Sequence, residues 1–416
     1  MKKTIIGTLA AATLTAGLAG PVMAQDVEFM TWTFTEETGQ ARIQAMIDSF
    51  EGGTVEPQGY AWGEMTRNTF LRARTNTLPD VSQVQARMLP TVANVDQMVD
   101  LNTVFDRAEL EAMFAPGFLA FGEIDGRQMA LPWIGGTIGM VANERVMETA
   151  GIAEIPTTVA EFRAALEAIR DTVPNSVPYG MATMNANSIV LDYLLWVWVH
   201  GGDVIVDGEP MVNSPEATAA LAFMVDLVEN RLAAPEIDRP DARRLFGQEA
   251  TGFYFDAPSA ASFAVNFSGQ EDYAQYVQPM ATPVMSDGDD PISIQWGHVM
   301  VMYGDDNASG DSAAAQFMMH LLSDETLVPY AAAGGVLPTT ASGQASPEIA
   351  DNPYMAAWAT NAGTPRRNTI ASLSNGAEVA TIIGEEVQAA ILGQKSAEEA
   401  ANDMQSRLTE SMANAE

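Results

Sequence analysis

The chain has 416 residues, with 20 Lys plus Arg against 54 Asp plus Glu, for a formal net charge of −34. So acidic a chain lacks the clustered basic residues that neutralise phosphates, which excludes a nucleic-acid partner. It has no cysteine and only three lysines, Lys2, Lys3 and Lys395. Disulfides, thiolate nucleophiles and cysteine metal sites are therefore ruled out, and lysine chemistry has few candidates. The length suits about two domains, each able to bury its own core.

In chain order, Met1-Lys2-Lys3 is a basic head, Thr4 to Gly20 an apolar run, and Pro21-Val22-Met23-Ala24 a small-residue cleavage pattern. Residues 1–24 thus read as a secretory signal peptide cut before Gln25, which predicts export to a periplasm and a mature net charge of −36. VEFMTW (27–32) reads as a first strand. Ile43, Met46, Ile47 and Phe50 then form one helical stripe. DVSQVQ (80–85) is a second strand, followed by a helix near 89–99. RQMALPW (127–133) and IGMVAN (138–143) read as two strands separated by Gly135-Gly136. Thr158 and Glu161 form a capping box, and Ser214-Pro215 an N-cap with Pro at the first helical position. GFYFDA (252–257) and IQWGHVMVMY (294–303) are further strands. The C-terminus is helical, with a stop at Gly393 and a second capping box at Ser396/Glu399. Strands alternating with helices, then helices alone, predict α/β lobes with parallel-rich sheets.

Signatures of catalysis are missing. There is no G-x-x-x-x-G-K-[ST] phosphate loop, no G-x-S-x-G elbow and no H-E-x-x-H. His200, His298 and His320 are far apart in sequence. DDNASGD (305–311) spaces its oxygens like half a calcium loop, but Gln316 stands where the bidentate Glu is needed, so it reads as a polar loop capping a helix from Ser312. No metal or cofactor is expected. Carboxylates are too abundant for counting to exclude a glycosidase pair, and none of them stands out.

The aromatic residues do stand out. Of seven Trp, Trp32, Trp62, Trp133 and Trp296 fall at element ends, where α/β sheets line ligand crevices. Trp196 and Trp198 lie within an apolar helical run, where one could be core and the other face a cleft. Indole faces suit the C–H faces of sugars, and Glu36, Glu64, Arg87, Asp256 and Arg366 are polar candidates to meet hydroxyls.

LPDVSQVQ (78–85), MALPWIGGTIGMVANERVMETAGI (129–152), IPTTVAEFRAAL with Val159 where Trp is usual, WVWVHGGDVI, VNSPEATAALAFMVDLV and AAAGGVLPTT follow one another in a specific order. In that order and spacing the chain resembles the bacterial extracellular solute-binding proteins that feed carbohydrates to ABC importers, over nearly its whole mature length. The resemblance implies an α/β, two-lobe periplasmic binding protein fold with a hinge and an interlobe cleft. Lobe one would hold 26–137 and 295–338, and lobe two 138–294 and 339–416. The implied role is capture, by a monomer, of a carbohydrate or polyol for a membrane permease, with no reaction.

The same resemblance implies the pocket. Thr33, Phe34 and Glu36 follow the first strand, and Trp62 precedes the second helix. Arg87 follows the VSQVQ strand. Trp133 and Gly136 lie at the Leu-Pro turn, and Trp196 in the apolar helix. Tyr254, Asp256 and Ser259 come from GFYFDAPSA, Trp296 and Gly297 from the late strand, Gly335 from the GGVLP turn and Arg366 from TPRRN. Two cleft arginines, Arg87 and Arg366, predict an acidic group on the ligand, unless both serve salt bridges. The alternatives are a same-fold protein for a polyamine, ferric ion or osmolyte, or a secreted carbohydrate-active enzyme.

Overall fold

The apolar and alternating runs of the sequence form a mixed sheet, of nine strands among the described residues. The computed structural model describes residues 25–414, apart from Pro116, Asn185, Ala362, Ala371, Ser372 and Ser374. The predicted leader, residues 1–24, lies outside the described residues. The strands are β1 (Gln25–Thr31), β2 (Gly53–Gly59), β3 (Val81–Gln85), β4 (Leu131–Asn143), β5 (Phe253–Asp256), β6 (Val277–Met280), β7 (Ile292–Met302), β8 (Leu337–Pro338) and β9 (Thr364–Arg366). The path runs β6-β4-β7-β3-β1-β2, with β5 and β8 also on β4 and β9 on β7. β1 is parallel to β2 and β3, whereas β7 is antiparallel to β3 and β4.

Two long strands join two cores. At one end of β4 and β7, Leu131, Trp133, Ile134, Met300 and Met302 pack with Ile43, Met46, Phe317 and Leu327. At the other end Ile138, Met140, Ala142 and Ile294 pack with Phe162, Leu191, Leu221, Ile383 and Met404. Each end is covered by its own helices, so both strands are nearly continuous apolar runs rather than alternating ones. The two lobes therefore share strands but not a core.

The expected break at Gly135-Gly136 is absent. β4 is one 13-residue strand through both lobes. Gly136 keeps it continuous by adopting φ +153°, opposite Trp296 of β7, a conformation open to glycine. The helix expected near 89–99 shrinks to Leu89–Val92, and the first helix stops at Asp48, before Phe50.

Local signals act as their chemistry dictates. The capping boxes at Thr158/Glu161 and Ser396/Glu399 both close, the Ser214 hydroxyl accepts from the Ala217 N–H, and Gly393 ends its helix at φ +67°. The Ser312 hydroxyl caps the helix Ala313–Leu321. The helix Ala186–Val199 is apolar on every side and lies inside the second core. The short helices Ala341–Ala345 and Pro347–Ala350, beyond the boundary expected at 338, lie beside the first core. β8 holds the chain against Ile134 and Gly135, and Ile349 is buried in the first core. No helix among the described residues is long and apolar enough to cross a membrane.

Candidate functional site

Between the two cores, beside the shared strands, lies a cleft with an inner compartment of about 200 Å³ and an outer one of about 400 Å³. Gln85, Arg87, Ile138 and Trp296 line both and form the waist between them.

The wall from the first lobe is built around aromatic rings and a neutral hydrogen-bonded network. β1 ends at Thr31, and a turn carries Trp32, Thr33 and Glu36 to the inner compartment. The Thr31 and Thr33 hydroxyls donate to Gln83 Oε1 at 2.5 and 3.0 Å. That occupies the amide oxygen, so Gln83 Nε2 is the donor to His298 Nδ1 at 3.0 Å, and the imidazole proton belongs on Nε2. His298 stands edge-on to Trp32 and Trp296, with ring centroids 4.6 and 4.4 Å away. Burial, and then the charge of Arg87, push its pKa down to about 3, so it is a neutral group that can offer an N–H.

The wall from the second lobe is charged and internally paired. The helix Arg239–Gly247 begins at Asp238, whose carboxylate accepts the Arg239 N–H at 2.7 Å in a capping box with Asp241. Its first turn points Arg239 at Asp192, which is fully buried and also accepts the Ala182 N–H at 2.8 Å. One turn later Arg243 grips Asp256 with two bonds of 2.7 and 2.8 Å, its guanidinium lying 3.8 Å over the Phe263 ring. Burial is the strongest influence on Asp256 and opposes its ionisation, but the charge and hydrogen bonds of Arg243, with Arg239 and the Ala257 N–H, together hold the carboxyl below the usual range. Burial wins at Glu36: its pKa is raised despite the pull of Arg243 and Arg42.

Arg87 differs from both walls. Its Nε donates to Gln85 Oε1 at 2.6 Å, and its guanidinium lies 5.6 Å from the Trp62 ring centroid. Burial, then the nearby charge of Arg239, lower its pKa to about 10. It has no carboxylate partner among the described residues.

Of the residues expected in the pocket, Thr33, Glu36, Trp62, Arg87, Asp256, Ser259 and Trp296 line the inner compartment, and Gly297 lines the outer one. The others do not line either. Trp133 is fully buried against Tyr330, with centroids 4.5 Å apart, because its strand position faces the first core. Trp196 and Trp198 are both core, on the part of their helix packed into the second lobe, whereas Ser188 and Leu191 of the same helix line the inner compartment. Tyr254 shares a strand face with Asp256 and lies against it, but it is fully buried and packs on Phe246 instead of reaching the cavity. Phe34 packs at the edge of the first core. Gly136 lies behind Trp296, and Gly335, at φ +64°, turns the chain between the lining residues Gly334 and Val336. Arg366 is bonded to Asp203 at 3.3 Å over the Trp198 ring, which is the salt-bridge alternative.

Sequence reasoning missed Arg42, Arg239, Arg243, Ser188, Gln83 and His298 as a group. The Asp238-Arg239-Pro240-Asp241 run carried a readable helix start that would have placed Arg239 and Arg243 one turn apart on one face. Among the described residues no three His, Asp or Glu side chains are gathered to hold a metal ion.

Residues 34–357 match the family model described as bacterial extracellular solute-binding protein. The chain belongs to that family. It is 24% identical over 297 residues to the diacetylchitobiose binding protein DasA of Streptomyces coelicolor, a match covering 69% of this chain and 66% of that one. Among solved structures, the GacH receptor of Streptomyces glaucescens, described with acarbose, superposes with a TM-score of 0.82 at 19% identity, over 94% of this chain and 99% of that one. Maltose-bound MalE3 of T. maritima gives 0.80 at 22%, over 92% and 99%. These likenesses establish the two-lobe fold of this solute-binding protein.

Proposed function

We propose that this solute-binding protein captures a carbohydrate in its cleft and delivers it to the permease of an ABC importer, acting as a monomer in the periplasm after loss of residues 1–24. The observation that carries the reading is the placing of Trp32, Trp62 and Trp296 around one cavity whose lining also offers Thr33, Glu36, Ser188, Ser259, His298 and several arginines as polar partners. Indole faces take the C–H faces of sugar rings, while the His298 Nε2–H, Glu36 and the arginines meet hydroxyls. Two compartments joined at a waist give room for more than one ring. Relatives named for diacetylchitobiose and maltose support the same class. We place the moving bodies at 26–137 with 295–350, and at 138–294 with 351–414, hinged on β4 and β7.

The inner compartment's carboxylates support binding without turnover. Hydrolysis needs two of them free beside the substrate. In the inner compartment Asp256 is held by Arg243 and Asp238 caps a helix, which leaves Glu36 alone. The same pairing disfavours a polyamine, whose ammonium groups need free carboxylates. Ferric ion is disfavoured because Tyr273 is buried on Asn143, away from the cleft.

The test is a thermal-shift and calorimetry screen of mono- and oligosaccharides beside polyamines and osmolytes, with chromatography of the recovered ligand. A sugar should raise the melting temperature and return intact. A response confined to spermidine or betaine, or cleavage of the sugar, would refute the reading.

A further inference from the structure

The arginines of the inner compartment can be matched with carboxylates one by one. Arg239 is bonded to Asp192 and Arg243 to Asp256. Arg42 lies over the Tyr330 ring and near enough to Glu36 to stabilise its charge. Asp238 sits on the N-terminus of its own helix, where the backbone dipoles balance it. Of the four arginines that line the inner compartment, only Arg87 is left over, at the waist, with a glutamine oxygen as its hydrogen-bond partner. Beside it, Arg239 keeps a buried Nη1 with no hydrogen-bond acceptor.

We infer that the bound carbohydrate carries a single carboxylate, as a uronic acid residue does, and that this carboxylate pairs with Arg87 at the waist while sugar rings lie on Trp62 and Trp296. The inference rests on the carbohydrate reading above and narrows it. A hydroxyl would satisfy the free N–H groups of Arg87 but leave its charge uncompensated, at a cost that grows as closure removes water. A carboxylate meets the fork of the guanidinium with two parallel bonds and cancels one charge. A monoanion supplies the single charge that Arg87 lacks, whereas a phosphate monoester would bring in nearly two. No carboxylate is close enough to Arg87 to raise its pKa, so the site for a counter-ion is open.

The experiment is calorimetry with matched pairs: glucuronate against glucose, galacturonate against galactose, and digalacturonate and cellobiouronate against galactobiose and cellobiose. The acidic member of the best-binding pair should bind at least about tenfold tighter, as expected of a hydrogen bond between charged groups. That preference should shrink as salt is raised from 20 to 500 mM, values set by the experimenter across roughly a threefold or greater change in screening length. Arg87→Gln should bring the two members of the pair to within about twofold, with Arg87→Lys retaining part of the preference, because only the charge-charge contact is lost. Arg366→Gln, outside the cleft, should leave both affinities unchanged.

A second readout needs no ligand. Arg87→Gln should leave the melting temperature of the empty protein the same or higher, since it removes an uncompensated charge. A lower melting temperature would show that Arg87 has a structural partner and would overturn the inference. So would a neutral sugar that binds as tightly as its acidic counterpart, although that result would uphold carbohydrate capture. Binding of no sugar in either series would defeat both readings.

Discussion

The two walls of the cleft are built by different means. In the first-lobe wall Thr31, Thr33, Gln83 and His298 form a neutral hydrogen-bonded relay behind Trp32 and Trp296. The second-lobe wall is built of ion pairs, Arg239–Asp192 and Arg243–Asp256, each backed by a backbone N–H on the carboxylate. Buried charges are tolerated when paired and hydrogen-bonded, and a neutral network avoids their desolvation altogether. The contrast teaches that most arginines of an acidic protein's cleft can be structural. It also isolates Arg87, which belongs to neither scheme.

The sharpest break of this comparison is in stability. Asp192→Ala would strand Arg239 as a buried lone charge and should cost about 3–5 kcal/mol in urea unfolding. Trp196→Ala, which opens a cavity in the second core, should cost a similar ~3–5 kcal/mol. In both cases a change below about 1 kcal/mol would mean that the second lobe relies on these contacts far less than the geometry indicates.

The neutral wall is probed by pH. His298 has a folded-state pKa of about 3, below its ordinary 6.5. Between these values the unfolded chain takes up a proton that the native state refuses. Its contribution to stability is therefore complete above 6.5 and is lost as pH falls toward 3. The lowered pKa of Asp256 acts in the same direction further into acid, while the raised pKa of Glu36 opposes it, contributing most below its ordinary value and fading as pH rises. Urea midpoints measured from pH 7 to 4 should fall for the native protein and fall less for His298→Gln.

A smaller effect separates binding from folding. Trp62→Ala should weaken sugar binding about tenfold, roughly 1.4 kcal/mol, with the unfolding midpoint little changed, because its ring is half-exposed at the cleft rather than in a core. Equal losses in both measurements would return Trp62 to the core with Trp133. The smallest effect is expected at Arg366, whose partly exposed pair with Asp203 should contribute less than about 1 kcal/mol.

Much of the fold is legible locally. Ser396 and Glu399 are three residues apart, as are Thr158 and Glu161, and such short-range bonds form wherever the sequence places them. The family motifs also run in order along the chain, so the two-lobe architecture could be read from them. The continuity of β4 could not, because Gly135-Gly136 is equally compatible with a turn and with an extended strand that needs no side chain there. The site was legible where a residue follows a strand end directly, as Thr33, Glu36, Trp62 and Arg87 do. It was illegible where two positions of similar local character face opposite ways: Trp133 enters the first core and Trp296 the cleft.

The sequence by itself determined an acidic, cysteine-free α/β chain, its helix caps, its apolar strands and its membership of a binding-protein family. These follow from composition and from interactions spanning a few residues. Only the tertiary structure decided which tryptophans line the cleft and which arginines are already engaged. Arg239 finds Asp192 across 47 positions and Gln83 finds His298 across 215. Arg366 finds Asp203 across 163, while Arg87 finds no carboxylate among the described residues. Pairing at such separations is set by how two lobes pack around shared strands, and no local pattern encodes it.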